Sequence, residues 1–128
     1  MTHLLYGATA KKLTSFLAFL NAQHPNIKFT IEVEQENQIP FLDVLVRRNR
    51  DDTLGHRVYR KPTHIDRYLH ATSHHYPSQK NSVISSLVYR ALTVSEPTFL
   101  DKKLQHLNQT LTKNGYNNKN IDQITKRL

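Results

Sequence analysis

Arg57, Tyr59, Arg60, Lys61, Arg67 and Tyr68 set guanidinium and ammonium groups beside phenol rings within one short stretch. Lys and Arg neutralise phosphates and Tyr stacks on a sugar or base, so the mixture suits a nucleic-acid backbone. It also suits a solvated strand edge, where Lys and Arg discourage edge-to-edge association. Lys80 and Arg90 are further cations on one expected helix. They lie about 80° apart around it and so do not form a single line.

The densest cluster of titratable groups is His64, His70, His74 and His75, with Asp66 among them. His70 and His74 could share a metal ion if they stood one turn apart on a helix. Thr72, Ser73 and Pro77 argue for a loop, and polar loop histidines are the reading adopted. No catalytic residue, metal ligand or cofactor is assigned.

Charge narrows the partner. Eighteen Lys and Arg against ten Asp and Glu give +8, unevenly spread: residues 1–43 carry three basic and four acidic groups, residues 44–128 fifteen and six. A near-neutral opening third joined to a basic remainder points to a polyanion met by one part of the fold, although solubility alone would also explain it. Hydrophobic content of 38% is modest, enough for one small core. The absence of cysteine excludes disulfides and thiolate metal sites and fits an intracellular setting, the nucleus included. No apolar run approaches the roughly 20 residues that span a bilayer, and Met1 to Gly7 lacks the apolar core of a signal peptide.

The elements that must position these groups follow from periodicity. Leu13, Phe16, Leu17 and Leu20 share one face of a helix over 9–22, ended before Pro25. From Ile27 the period becomes two: Ile27, Phe29, Ile31 and Val33 against Lys28, Thr30, Glu32 and Glu34, which predicts a half-buried strand. A polar turn at 35–38 leads to a second strand over 41–47, with Leu42, Val44 and Val46 on one face. A turn at 49–53 leads to a third, through Val58 and Tyr59. After an irregular segment at 63–77, Ser78 is expected to cap a helix to about Val94 with Val83, Ile84, Leu87, Val88, Ala91 and Leu92 as its apolar stripe. Pro97 opens the next, whose core face is Leu100, Leu104, Leu107 and Leu111. Gly115 ends it, and Asn118 caps a last helix carrying Ile121, Ile124 and Leu128. The expected class is α+β: an N-terminal helix, a three-stranded antiparallel meander and a C-terminal three-helix bundle, with the two parts at 1–62 and 63–128 forming one compact unit.

Three ordered stretches carry a family likeness: residues 27–34 with Ile39-Pro-Phe-Leu-Asp-Val44; Val58-Tyr-Arg-Lys-Pro-Thr-His-Ile-Asp-Arg-Tyr-Leu69; and Ser73-His-His-Tyr-Pro-Ser-Gln-Lys80 leading to Ser85-Ser-Leu-Val-Tyr-Arg-Ala91, with Asn114-Gly-Tyr116 beyond. Together they resemble the reverse transcriptases of Penelope-like retroelements. In that family such segments follow the catalytic palm hairpin, and the helices after them form the thumb, sometimes labelled a helix-turn-helix domain. The resemblance implies a thumb-like bundle and a strand-to-loop segment facing the backbone of a primer–template, either duplex or RNA–DNA hybrid, without sequence preference. It assigns contact to Arg57, Tyr59, Arg60, Lys61, Arg67 and Tyr68, with Lys80 and Arg90 as lesser candidates, and makes the rest of a reverse transcriptase the partner.

The chain departs from the family in lacking the aromatic-x-Asp-Asp element whose carboxylates hold two Mg²⁺ ions for in-line displacement. Asp51-Asp52 follows Asn49-Arg50 and reads as a polar turn. The expectation is therefore a nucleic-acid-binding fragment that is not itself an enzyme. The alternatives are a free-standing helix-turn-helix DNA-binding protein and a decayed element product without present activity.

Overall fold

The computed structural model describes residues 10–128. Thr9, where the periodicity starts the first helix, and Met1 to Gly7 lie outside the described residues. The element order is α1 (Ala10–Asn21), β1 (Gln38–Phe41), β2 (Val44–Arg48), β3 (Leu54–Val58), α2 (Pro77–Val94), α3 (Pro97–Lys113) and α4 (Asn118–Thr125). This is the expected α+β order, with an antiparallel sheet β1-β2-β3.

The core belongs to the helices. Ile84, Leu87, Val88 and Ala91 of α2 meet Leu107 and Leu111 of α3 and Ile121 and Ile124 of α4, with Tyr116 closing the turn between the last two. Leu100 and Leu104 pack on the margin, as does Val83. Two members of the expected stripes miss this core: Leu92 is exposed at the edge of α2, and Leu128 lies beyond α4 and is also exposed. None of the sheet's apolar side chains and none from α1 reaches the buried cluster; Phe16 and Phe19 of α1 are exposed.

Both long helices start by the same device. Tyr76 (ψ 145) and Glu96 (ψ 153) are extended, and Pro77 and Pro97 follow in the first helical turn. Proline forces the residue before it out of helical angles and needs no hydrogen bond for its own nitrogen there. Ser78 is thus already inside α2 and not its cap. At α4 the cap is Asn117, whose Oδ1 accepts from the Lys119 N–H at 2.8 Å, one residue before the expected Asn118.

The strands depart further from expectation. Residues 27–34 form no regular element, pair with no strand and are mostly exposed. Glu36 (φ 52) and Asn37 (φ 60) make a two-residue turn with left-handed angles, and Gln35 and Gln38 exchange both backbone hydrogen bonds across it. Continuing that ladder would set Val33 opposite Pro40, on the side where Pro40 has no N–H to donate. Pro40 therefore makes β1 a closed edge, and the period-two segment stays outside the sheet. The expected second strand is in fact two: Leu42 (φ 56) and Asp43 form a tight turn between β1 and β2, so Leu42 leaves the face it was to share with Val44 and Val46.

The join between loop and bundle is made at the end of α3. The Asn114 side chain donates Nδ2–H to the Asp66 carbonyl (3.0 Å) and the Thr110 carbonyl (2.8 Å) and accepts from the Tyr68 N–H (3.1 Å). Its own carbonyl accepts from Ala71 N–H, and the Tyr116 hydroxyl donates to the Leu69 carbonyl at 2.6 Å. Gly115 (φ 86) supplies the left-handed cap, and a Cβ there would stand 2.6 Å from the His70 ring. Asn114→Asp is isosteric but turns a carboxylate oxygen toward two carbonyls. It should cost at least about 2 kcal/mol at neutral pH. In the variant the new carboxyl is easier to protonate folded than unfolded, and protonation restores one donor. Urea unfolding at pH 7 and pH 4, each against wild type, should show the deficit shrinking in acid.

Candidate nucleic-acid interface

Three elements converge where β3 runs into the loop: residues 59–68, α2 and α3. Arg60 is half-buried, and Lys61 and Arg67 are exposed. Arg90 of α2 pairs with Asp43 of the β1–β2 turn at 2.5 Å, at an angle that makes no hydrogen bond. Facing them from α3 is Lys103, half-buried. Desolvation lowers its pKa first, repulsion from Arg60 lowers it further, Asp66 works the other way, and Arg90 adds to the lowering. Arg60, Arg90 and Lys103 thus form a cationic group around one lysine that the fold partly strips of water.

Asp66 is the counter-charge. Its two carboxylate oxygens meet His64 Nε2 at 3.0 Å and His106 Nε2 of α3 at 3.1 Å, and its backbone is left-handed (φ 54). His64 also reaches the Tyr68 hydroxyl at 3.1 Å. The histidine-rich segment therefore ties loop to helix. His70 bonds Thr72 and covers Gly115, and residues 71–75 are turn and bend, so His70 and His74 share no helix face.

The other expected contact residues are placed differently. Arg57 lies with its guanidinium 5.4 Å from the Phe99 ring centroid, a cation–π contact. Tyr59 is half-buried, its N–H donating to the Asp43 carbonyl at 2.7 Å. Tyr68 packs on the core margin beside His64. Lys80 donates to the Ala71 carbonyl at 2.8 Å, a contact that closes the start of α2. Asp51 accepts from the Thr53 hydroxyl and N–H, which lowers its pKa and makes it the hub of the β2–β3 turn.

Lys103 and His106 were not among the expected site residues. They stand one turn apart on α3, Lys103 flanking its leucine stripe and His106 farther round toward solvent, and helix faces carry such residues routinely. The only sequence signal was their shared face.

Residues 67–126 match the family model of the animal helix-turn-helix domain. The match takes in α2, α3 and α4 and excludes the strands. No curated protein and no solved structure matches the chain. The C-terminal half is thus similar to that domain, with α3 and α4 joined by the Asn114–Asn117 turn. No described helix is long and apolar enough to cross a membrane.

The charge on Lys103 opposes folding, and this gives a signed expectation. A lysine with a depressed folded-state pKa is penalised while protonated; the penalty is complete below that pKa and gone above the ordinary lysine value. Lys103→Met should therefore raise the thermal midpoint at pH 7, with the difference from wild type narrowing as pH rises through the lysine range. The same variant should bind duplex more weakly. A midpoint below wild type at pH 7 would show that Lys103 is held by favourable partners.

Proposed function

We propose that the chain is a nucleic-acid-binding module, corresponding to the palm end and thumb of a Penelope-like reverse transcriptase, that grips the backbone of duplex or RNA–DNA hybrid without reading sequence. Arg60, Lys61 and Arg67 supply the primary phosphate contacts, Arg57 and Lys103 flank them, and Tyr59 and Tyr68 border the surface. The reading rests on one observation above the rest: Arg60, Arg90 and Lys103 converge beside exposed Lys61 and Arg67 at the entrance to the helix-turn-helix region, with two carboxylates, Asp43 and Asp66, to balance them. A group so short of negative charge gains from a phosphate. The module acts inside the cell, joined to the remainder of a polymerase.

The family match also favours a second reading, a free-standing helix-turn-helix protein that reads bases through α4. The amides at the start of that helix speak for the backbone grip. Asn118 Oδ1 accepts from the Thr112 hydroxyl at 2.9 Å, and Asn120 Nδ2 donates to Asn81 Oδ1 at 3.2 Å. Both are engaged within the protein.

The two readings predict opposite mutants. Under the backbone grip, the Arg60→Ala/Lys61→Ala double variant weakens binding to all duplex sequences alike and flattens the salt slope by about two units. Under the base reader it is silent, and Lys119→Ala or Asn120→Ala abolishes binding to a selected site. Fluorescence anisotropy on mixed-sequence duplex and on hybrid, across a salt series, separates them.

With no aromatic-x-Asp-Asp element, the chain by itself should leave a primer unextended in Mg²⁺ or Mn²⁺. Template-dependent extension lost on Asp51→Ala or Asp52→Ala would refute this part of the reading.

A further inference from the structure

A second polar surface lies on the sheet, beneath the start of α3. The strand register sets Gln38, Arg47 and Gly55 in one cross-strand row and Leu45 and Arg57 in the next, all on the same face. The start of α3 overhangs this face and leaves an open cleft of about 210 Å³, with Glu96 and Phe99 on its far wall. The junction is held there by backbone: His56 Nδ1–H donates to the Val94 carbonyl at 2.6 Å, and the Glu96 N–H donates to the His56 carbonyl at 3.2 Å. Gly55, buried, leaves room under the Glu96 carboxylate, whose oxygens lie 3.3 Å from where a Cβ would stand.

The polar groups of the cleft are set toward each other without being consumed. Among the described residues, no hydrogen bond or ion pair engages the side chains of Gln38, Arg47 or Glu96, although Glu96 and Gln38 are half-buried. The Arg57 guanidinium lies over the Phe99 ring, and among the described residues no hydrogen bond or ion pair engages it. A half-buried carboxylate that lines one cleft with two guanidiniums and pairs with neither is an acceptor left for something else. The cleft is smaller than the roughly 300–1,000 Å³ of pockets that enclose a whole small molecule, and it suits one planar group entering from solvent.

We propose that this cleft takes a single unpaired nucleotide, its base stacked on the Arg57–Phe99 pair, its amino group donating to Glu96, and its phosphate on Arg47. Stacking on an aromatic-backed guanidinium is how single-stranded bases are commonly held. A carboxylate accepts from the exocyclic amine of cytosine, adenine or guanine and finds no such amine on thymine. The site therefore favours amino-bearing bases. The proposal rests on the nucleic-acid reading above and adds to it a preference for the junction between duplex and single strand.

The test compares a blunt duplex with the same duplex carrying a short cytidine or thymidine overhang, using the whole chain. The cytidine overhang should tighten binding about tenfold, the scale of one stacked base, and thymidine should tighten it less. Arg57→Lys keeps the charge and loses the plane; Phe99→Leu keeps apolar bulk and loses the ring. Each should remove most of the overhang gain, and Phe99→Leu should do so while blunt-duplex affinity and the thermal midpoint stay near wild type. Glu96→Gln should erase the difference between cytidine and thymidine. An overhang that adds nothing while the blunt duplex still binds overturns this site and leaves the backbone grip standing. A gain that survives both Arg57→Lys and Phe99→Leu also overturns it, as does equal competition by a glutamate-rich peptide of matched charge. Absence of binding to any of the three probes overturns the grip and the site together.

Discussion

Asn114 is the constraint on which the arrangement turns. A buried amide can meet four partners, and this one meets backbone groups on two sides: the last turn of α3 through Thr110, and the loop through Asp66 and Tyr68. Its backbone carbonyl takes Ala71 as well. The loop has no regular structure of its own to satisfy these groups, so the side chain substitutes for a strand partner. Because each bond fixes the orientation of the others, a change at this position is felt across the network. Gly115 completes it, since only a residue without Cβ lets His70 lie over the turn.

That anchoring decides the electrostatics. Holding the Asp66 backbone by its carbonyl aims its carboxylate between His64 and His106. Asp66 is thereby committed to the loop–helix junction and relieves only part of the repulsion at Lys103. Asp43 is likewise held at Arg90, where it fastens the hairpin turn to α2. The carboxylates that could neutralise the cationic group are thus used to assemble it. Residual strain of this kind is common where a protein must meet a ligand, because the ligand then relieves it.

How much of this was legible depended on whether a residue acts through its own type or through a distant partner. The limits of α3 could be read because Pro97 and Gly115 impose local angles that tertiary structure does not override. Ser78 was misplaced by two positions and Asn118 by one, for the same reason in reverse: Pro77 and Asn117 were stronger local signals than the pattern that chose their neighbours. The strand at 27–34 failed because alternation shows that a segment suits a sheet edge and not that an edge is open to it; Pro40 closes that edge. The hairpin turn at Leu42 was hidden by apolar neighbours, with Asp43 its only sign. In the site, Arg60, Lys61 and Arg67 were visible as charge beside aromatics, whereas Lys103, His106 and Glu96 mattered only once α3 was docked.

The distribution of the core explains why the proposed contact surface lies where it does. With the buried apolar cluster confined to α2, α3, α4 and Tyr116, the helical bundle can hold its shape without help from the sheet. The sheet is attached by polar contacts, chiefly Asp43 to Arg90 and His56 to the α2–α3 junction. An attachment made of charges and backbone bonds leaves its margins hydrated and lined by unspent hydrogen-bonding groups, where a sealed apolar interface would not. Both polar surfaces, the cationic group and the Arg57–Phe99 cleft, lie along that seam. A bundle whose Asn118 and Asn120 amides are taken up by Thr112 and Asn81 serves as a rigid platform, and the groups suited to a polyanion sit at the joint between platform and sheet.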